Sequence, residues 1–246
     1  MKVALFIPCY VDQFYPSVAI STMQILEKCG CEVIYPLGQT CCGQPMANAG
    51  CESEAKSTYR HFVEVFKNYE HIVCPSGSCA YHVRKHYDII EDNKEVVDLR
   101  SRVYDICEFL VDVLDVRELD AGFPHRVGLH QSCHGLRGLR LSKASERMTE
   151  TRSKPLHLLR MVNGLELVDL IRTDECCGFG GTFAVTESDL SVYMGEDRVK
   201  DHITSHAEYI TAGDMSCLMH LDGIIKKRNL PIQVIHIAEI LNSKLS

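Results

Sequence analysis

Short apolar runs alternate with stretches of helical periodicity along this chain, and the alternation is written twice in the same order. Lys2–Ile7 (KVALFI) is a β-prone run that ends at Pro8-Cys9, and Ser17–Lys28 carries Ile20, Met23 and Leu26 at helical spacing. Glu32–Pro36 (EVIYP) reads as a second strand, feeding the turn Gln39-Thr40-Cys41-Cys42-Gly43. A helix over Glu52–Asn68 precedes a strand at His71–Cys74, after which Pro75-Ser76-Gly77-Ser78-Cys79 leads into another helix. Tyr104–Leu114 reads as one more helix.

The second half repeats this. Arg126–His130 is a strand reaching Cys133, Lys154–Val162 a helix, and Leu165–Leu170 a strand feeding Thr173-Asp174-Glu175-Cys176-Cys177-Gly178. Glu187–His206 is helical, Tyr209–Thr211 strand-like, and Asp214-Met215-Ser216-Cys217 opens a further helix. Tyr104–Leu110 and Ile235–Leu241 close the halves alike. Strands and helices at this spacing predict an α/β fold of two pseudo-symmetric βαβ repeats with mostly parallel sheets. The boundary falls near Leu119–Pro124, giving repeats 1–122 and 123–246; whether they form separate sheets or one pseudo-twofold body stays open.

The composition is that of an ordinary globular protein, with 46% hydrophobic and 24% charged residues. A formal net charge of −7 argues against a nucleic-acid partner, whose phosphates are bound by clustered Lys and Arg. Arg137/Arg140 and Lys226–Arg228 read as solvated helix faces. Val3–Ile7 is too short for a secretory core before Pro8, and no run approaches a membrane span, so a cytoplasmic protein is expected. Sulfur is the outlier. Thirteen cysteines, an odd number in a chain of 246 residues, fit a disulfide framework poorly and call for metal ligation or thiol chemistry.

Eight of those cysteines follow predicted strands in matching order: Cys9, Cys41, Cys42 and Cys79, then Cys133, Cys176, Cys177 and Cys217. The carboxyl ends of parallel strands form the ligand crevice of α/β sheets, so each quartet is expected to converge, giving two mirrored pockets. Four soft thiolates per repeat select an iron–sulfur cluster or zinc, and adjacent cysteines could also form a redox disulfide. Three distant segments must meet, rather than a close Cys pair, which tilts the choice toward a cluster. Cys29, Cys31, Cys51 and Cys107 lack counterparts and read as core; Cys74, beside Cys79, is ambiguous.

A cysteine, 31 residues, Cys-Cys-Gly, 35 residues and a cysteine, repeated with intervals of 42 and 38, resembles the cysteine-rich CCG domain. That domain occurs in heterodisulfide reductase and in the iron–sulfur subunits of glycolate oxidase and anaerobic glycerol-3-phosphate dehydrogenase. With Ile7-Pro8-Cys9, Gln44-Pro45 after the first Cys-Cys-Gly, Phe179-Gly180-Gly181-Thr182-Phe183 after the second, and Asp214–His220, the chain is similar to the lactate utilization protein A family over nearly its whole length. The resemblance implies an iron–sulfur oxidoreductase subunit of a three-protein system that oxidises L-lactate to pyruvate. It also implies a partner with ferredoxin-type clusters and a third small subunit. The fullest CCG pattern ends in Cys-x2-Cys; here Ser76 and Asp214 replace the first cysteine of that pair. The four remaining thiols per repeat suffice for one 4Fe–4S cubane. Asp214 reads either as an oxygen ligand or as the N-cap of its own helix, and Cys74 as a further ligand of low weight.

His134 and Arg137 follow Cys133 and read first as surface groups, second as donors to a cluster or a substrate carboxylate. His130 and His220 are placed to tune a centre from outside its ligand set. Gly178-Phe179-Gly180-Gly181 lacks the spacing and lysine of a phosphate loop and reads as a tight turn aiming amides at the Cys pair.

Overall fold

Alternate residues of the first strand go to different cores. In the computed structural model, which describes residues 1–90, 94–148 and 152–244, Val3, Leu5 and Ile7 face one apolar cluster while Ala4 and Phe6 face another. A strand covered on both faces needs apolar residues at every position, which is why KVALFI shows no polar alternation. Four parallel strands, β1 (Lys2–Leu5), β2 (Glu32–Ile34), β3 (Ile72–Cys74) and β4 (Val103–Asp105), make one sheet in the order β2-β1-β3-β4. The second half builds its own parallel sheet from β5 (Arg126–Leu129), β6 (Glu166–Leu167), β7 (Tyr209–Ala212) and β8 (Gln233–His236), ordered β6-β5-β7-β8. The expected α/β repeats are present, and they form two sheets rather than one.

The sheets share a core. Helix Pro16–Lys28 packs on helix Ile237–Asn242, and Val3, Leu5 and Ile25 join Val127, Leu218 and Ile237 in one buried cluster. The opposite face of the first sheet holds a cluster of its own, into which helix Glu52–Phe66 turns Ala55, Tyr59, Phe62 and Phe66. Phe6 meets Phe62 and Phe66 edge-on at centroid distances of 4.9 and 5.7 Å.

Several expected bounds shift. Tyr104–Leu114 is not one helix: Val103–Asp105 pairs with β3, and Asp105 then caps a new helical turn by accepting from the Cys107 amide at 2.8 Å. His236 does the same after β8, with Glu239 completing a capping box. Leu165–Leu170 contributes only Glu166–Leu167 as strand. The helix expected over Glu187–His206 starts earlier, as a turn at Phe183–Thr186 followed by Ser188–Thr204.

Candidate metal centre

In both sheets the chain leaves the first strand, pairs a second on one side, and crosses over to place the third on the other. That reversal opens a crevice beyond the carboxyl ends of β1 and β3, and of β5 and β7. Cys9 opens helix Cys9–Phe14 directly after β1, and Cys41-Cys42 lie on the loop after β2. Cys79 sits in the first turn of helix Gly77–His86. Cys133, Cys176-Cys177 and Cys217 take the same places in the second half, Cys217 in the first turn of helix Met215–Arg228. All eight sulfur-bearing residues line a single cleft of about 450 Å³. The two expected pockets therefore open into one space between the halves, where Tyr10 of the first half meets Phe179 of the second edge-on at 6.1 Å.

Within each quartet the sulfurs touch. Cys9 and Cys41 Sγ are 3.8 Å apart, and Cys41 also receives the Cys42 thiol, which in turn contacts Cys79. Cys133, Cys176, Cys177 and Cys217 form the same chain of thiol contacts. Two turns hold the Cys pairs open to the cleft. Gly43 and Gly178 have φ of +84° and +89°, and each donates its amide to the sulfur two residues earlier at 3.4 Å. The Phe179 amide reaches Cys177 Sγ at 3.5 Å, so the glycine-rich turn aims amides at the Cys pair as its sequence suggests.

These donors set the charge. Thiols of Cys42 and Cys9, with the Gly43 amide, draw Cys41 down to about 3; thiols of Cys133 and Cys177, with the Gly178 amide, draw Cys176 down to about 2. Cys79 is also held well below the usual thiol range, chiefly by the Cys42 and Cys74 thiols. Donation to their neighbours and burial push Cys9, Cys42, Cys133 and Cys177 up. Each half thus offers ready thiolates among buried thiols, and all thirteen cysteines are free. A soft, deprotonatable S4 donor set with amides aimed at sulfur fits zinc or an iron–sulfur cluster and suits hard cations poorly.

Other expectations divide. Asp214 does not cap its own helix. Its carboxylate crosses to the first half, accepting from the hydroxyls of Ser76 and Ser78, both at 2.7 Å, and from the Ser78 amide at 3.0 Å. The two residues standing where the longer pattern has cysteines thus bond to each other across the seam. Cys74 is buried and its thiol contacts Cys79. Cys31 and Cys107 are core, but Cys51 is exposed at the start of helix Glu52–Phe66, where apolar periodicity gave no warning. Arg137 pairs with Glu146 at 2.7 Å and turns to Asp174, as a surface group. His134 Nδ1 lies 3.8 Å from Cys133 Sγ, whereas His220 bonds the Ser191 carbonyl. His130 is closer than expected: one of its ring nitrogens and the sulfurs of Cys177 and Cys217 all lie within 4.8 Å of one another. Behind the first quartet, Tyr87 donates to the Cys42 carbonyl at 3.0 Å, and His82 bonds the Tyr59 hydroxyl at 2.9 Å; no spacing in the sequence singles these out.

The CCG cysteine-rich domain matches this chain at residues 3–84 and again at 127–222. Lactate utilization protein A of Geobacillus sp. (strain WCH70) is 38% identical, over 99% of this chain and 100% of its own. The protein of the same name from Oceanobacillus iheyensis is 39% identical, over 99% and 97%. The chain belongs to the lactate utilization protein A family. The family member from Bacillus licheniformis, also 39% identical, again aligns over 99% of this chain and its entire own length. In fold, the chain is similar to a hypothetical protein from Helicobacter pylori known from a crystal structure, with a TM-score of 0.56 at 12% identity. All of this chain is covered and 49% of that one, so it spans about half of that protein.

Proposed function

We propose that this chain is the iron–sulfur redox subunit of a multi-protein system that oxidises L-lactate to pyruvate. Residues 1–122 and 123–246 are its two repeats, each holding one 4Fe–4S cluster. Cys9, Cys41, Cys42 and Cys79 ligate the first; Cys133, Cys176, Cys177 and Cys217 ligate the second. Its partners are a ferredoxin-type iron–sulfur protein and a third small subunit, in the cytoplasm. The name borne by the full-length relatives supports the pathway. No helix among the described residues is long and apolar enough to cross a membrane.

The observation that carries the redox role is the pair of matched thiol quartets facing one cleft. When bound, thiolate-ligated clusters supply one-electron carriers. The chain's own part is to hold thiolates ready at Cys41, Cys79 and Cys176 and to bring the Gly43, Gly178 and Phe179 amides to sulfur. N–H···S bonds of this kind raise a cluster's potential.

A specific distance favours a second reading. Four sulfurs at ~2.3 Å from a tetrahedral zinc ion stand roughly 3.8 Å apart, the separation of Cys9 and Cys41. Zinc would make the chain an assembly module without electrons to carry. Iron, sulfide and zinc analysis with EPR on anaerobically purified protein separates the two. A brown protein with about four irons and four sulfides per site, halved by either Cys42→Ser or Cys177→Ser, is expected. A colourless protein with stoichiometric zinc would overturn the redox role.

A further inference from the structure

The two halves match in their four thiols and differ in what stands next to them. His130 N donates to the Thr211 carbonyl at 2.8 Å, just as Phe6 N donates to that of Val73 at 2.9 Å, so these residues occupy the same place in the two sheets. Phe6 lies in the aromatic cluster of the first half. His130 instead brings a ring nitrogen to the sulfurs of Cys177 and Cys217. It is 1% exposed, and neither ring nitrogen has a hydrogen-bond partner among the described residues. Leaving two polar atoms of a buried ring unpaired is costly, which asks for a ligand at one of them.

Neighbouring polar groups do not meet that need. The terminal nitrogens of buried Arg198 bond Asp201 at 3.0 Å, the Arg172 carbonyl and His202 Nε2 at 3.2 Å, and its Nε has no partner among the described residues. His130 also borders a small cavity of about 20 Å³, shared with Gln131 and Asp105. Gln131 Oε1 and Asp105 Oδ2 are likewise unpartnered. The cavity has room for one water, which would orient the second ring nitrogen as carboxylates and waters do for metal-bound histidines. In the first half the unmatched donor is sulfur: Cys74 contacts Cys79, and the residue paired in the same register in the second half is Ala212.

We infer that His130 is a nitrogen ligand of the second centre, making that centre mixed thiolate and imidazole while the first is thiolate alone. The inference rests on the reading above that the quartets hold metal. His130 would then take one of the four positions assigned above to Cys133, Cys176, Cys177 and Cys217, and a neutral imidazole in place of a thiolate leaves the centre less negative and its potential more positive than that of the first.

Selective ¹⁵N-histidine labelling with pulsed EPR tests this on the full-length protein reconstituted anaerobically with ferric iron and sulfide and reduced with dithionite to the paramagnetic 1+ state. A directly coordinated histidine nitrogen should appear in the wild type, change with the label, and vanish in His130→Phe, which installs the residue of the first half. His134→Phe should keep it, because His134 meets the single sulfur of Cys133 whereas His130 meets those of Cys177 and Cys217. If the labelled wild type binds its iron but shows no strongly coupled histidine nitrogen, the ligand assignment is overturned and the cluster reading stands. The wild-type measurement does not depend on how the variants fold. A protein that takes up no iron overturns both.

Discussion

Replacing Gly178 by alanine separates two costs that usually arrive together. With φ at +89° an L-residue carries left-handed strain of about 1–2 kcal/mol. An added Cβ would also lie 2.6 Å from the Ser191 carbonyl oxygen and 2.8 Å from Met194 Cβ, one of them main chain that cannot rotate away. Overpacking of this kind adds about 1–3 kcal/mol. Gly50 supplies the control: its φ is +79°, yet a Cβ there meets nothing within 4 Å. Gly50→Ala should therefore lose only the strain, and Gly178→Ala about 2–5 kcal/mol in all. Urea unfolding of the metal-free, reduced proteins measures both. Because the Gly178 turn positions Cys176 and Cys177, its variant should also lose metal from the second site alone, read by metal content against Cys177→Ser. Equal losses of stability at the two glycines would refute the close approach of the turn to helix Ser188–Thr204.

Asp214→Ala strands the Ser78 amide and two buried hydroxyls, and should cost about 2–4 kcal/mol in the same unfolding assay; a change below about 0.5 kcal/mol would remove the seam from the account of stability. Acid should destabilise the metal-free protein. Burial holds His82 and His130 down to about 3 and His202 to about 2, so below their ordinary value near 6.5 the unfolded chain takes up protons that the folded one refuses. Asp105, raised to about 7 by burial, works the other way, binding a proton in the folded state above 3.8. These four groups alone leave close to two protons near pH 5, and the thiolates at Cys41, Cys79 and Cys176, protonated in the unfolded chain, add to the same sign, so stability should fall by at least about 2–3 kcal/mol from pH 6 to pH 5; a flat urea midpoint would show that these groups titrate normally.

The repeat, the parallel sheets and the convergence of the eight cysteines were legible because each follows from spacing: strands, turns and thiols recur in one order in both halves. The fourth strands were not, since Val103–Asp105 and Gln233–His236 are three and four residues long and run straight into capped helical turns. Such short elements leave no period to detect. The union of the two pockets was hidden as well, because it depends on how helix Pro16–Lys28 and helix Ile237–Asn242 pack, which no local pattern records. Asp214 read as a ligand or as the cap of its own helix, and instead accepts from Ser76 and Ser78 at the start of the opposite half's helix, which Ser76 caps. His130 was picked out only for its nearness to Cys133 along the chain. What supports the role proposed for it is that its ring has no bonding partner among the described residues, a property of three-dimensional packing.

The interlocked helices have a bearing on traffic. Two lobes joined by a slender hinge can swing apart to swallow a guest, but here each lobe's outer helix is part of its neighbour's interior. Opening would mean tearing apolar surface into water, so the rim of the cleft is effectively fixed in width. On the proposed redox role, a companion would bring its own carrier up to that rim and exchange charge across the opening, docking on the protein rather than entering it.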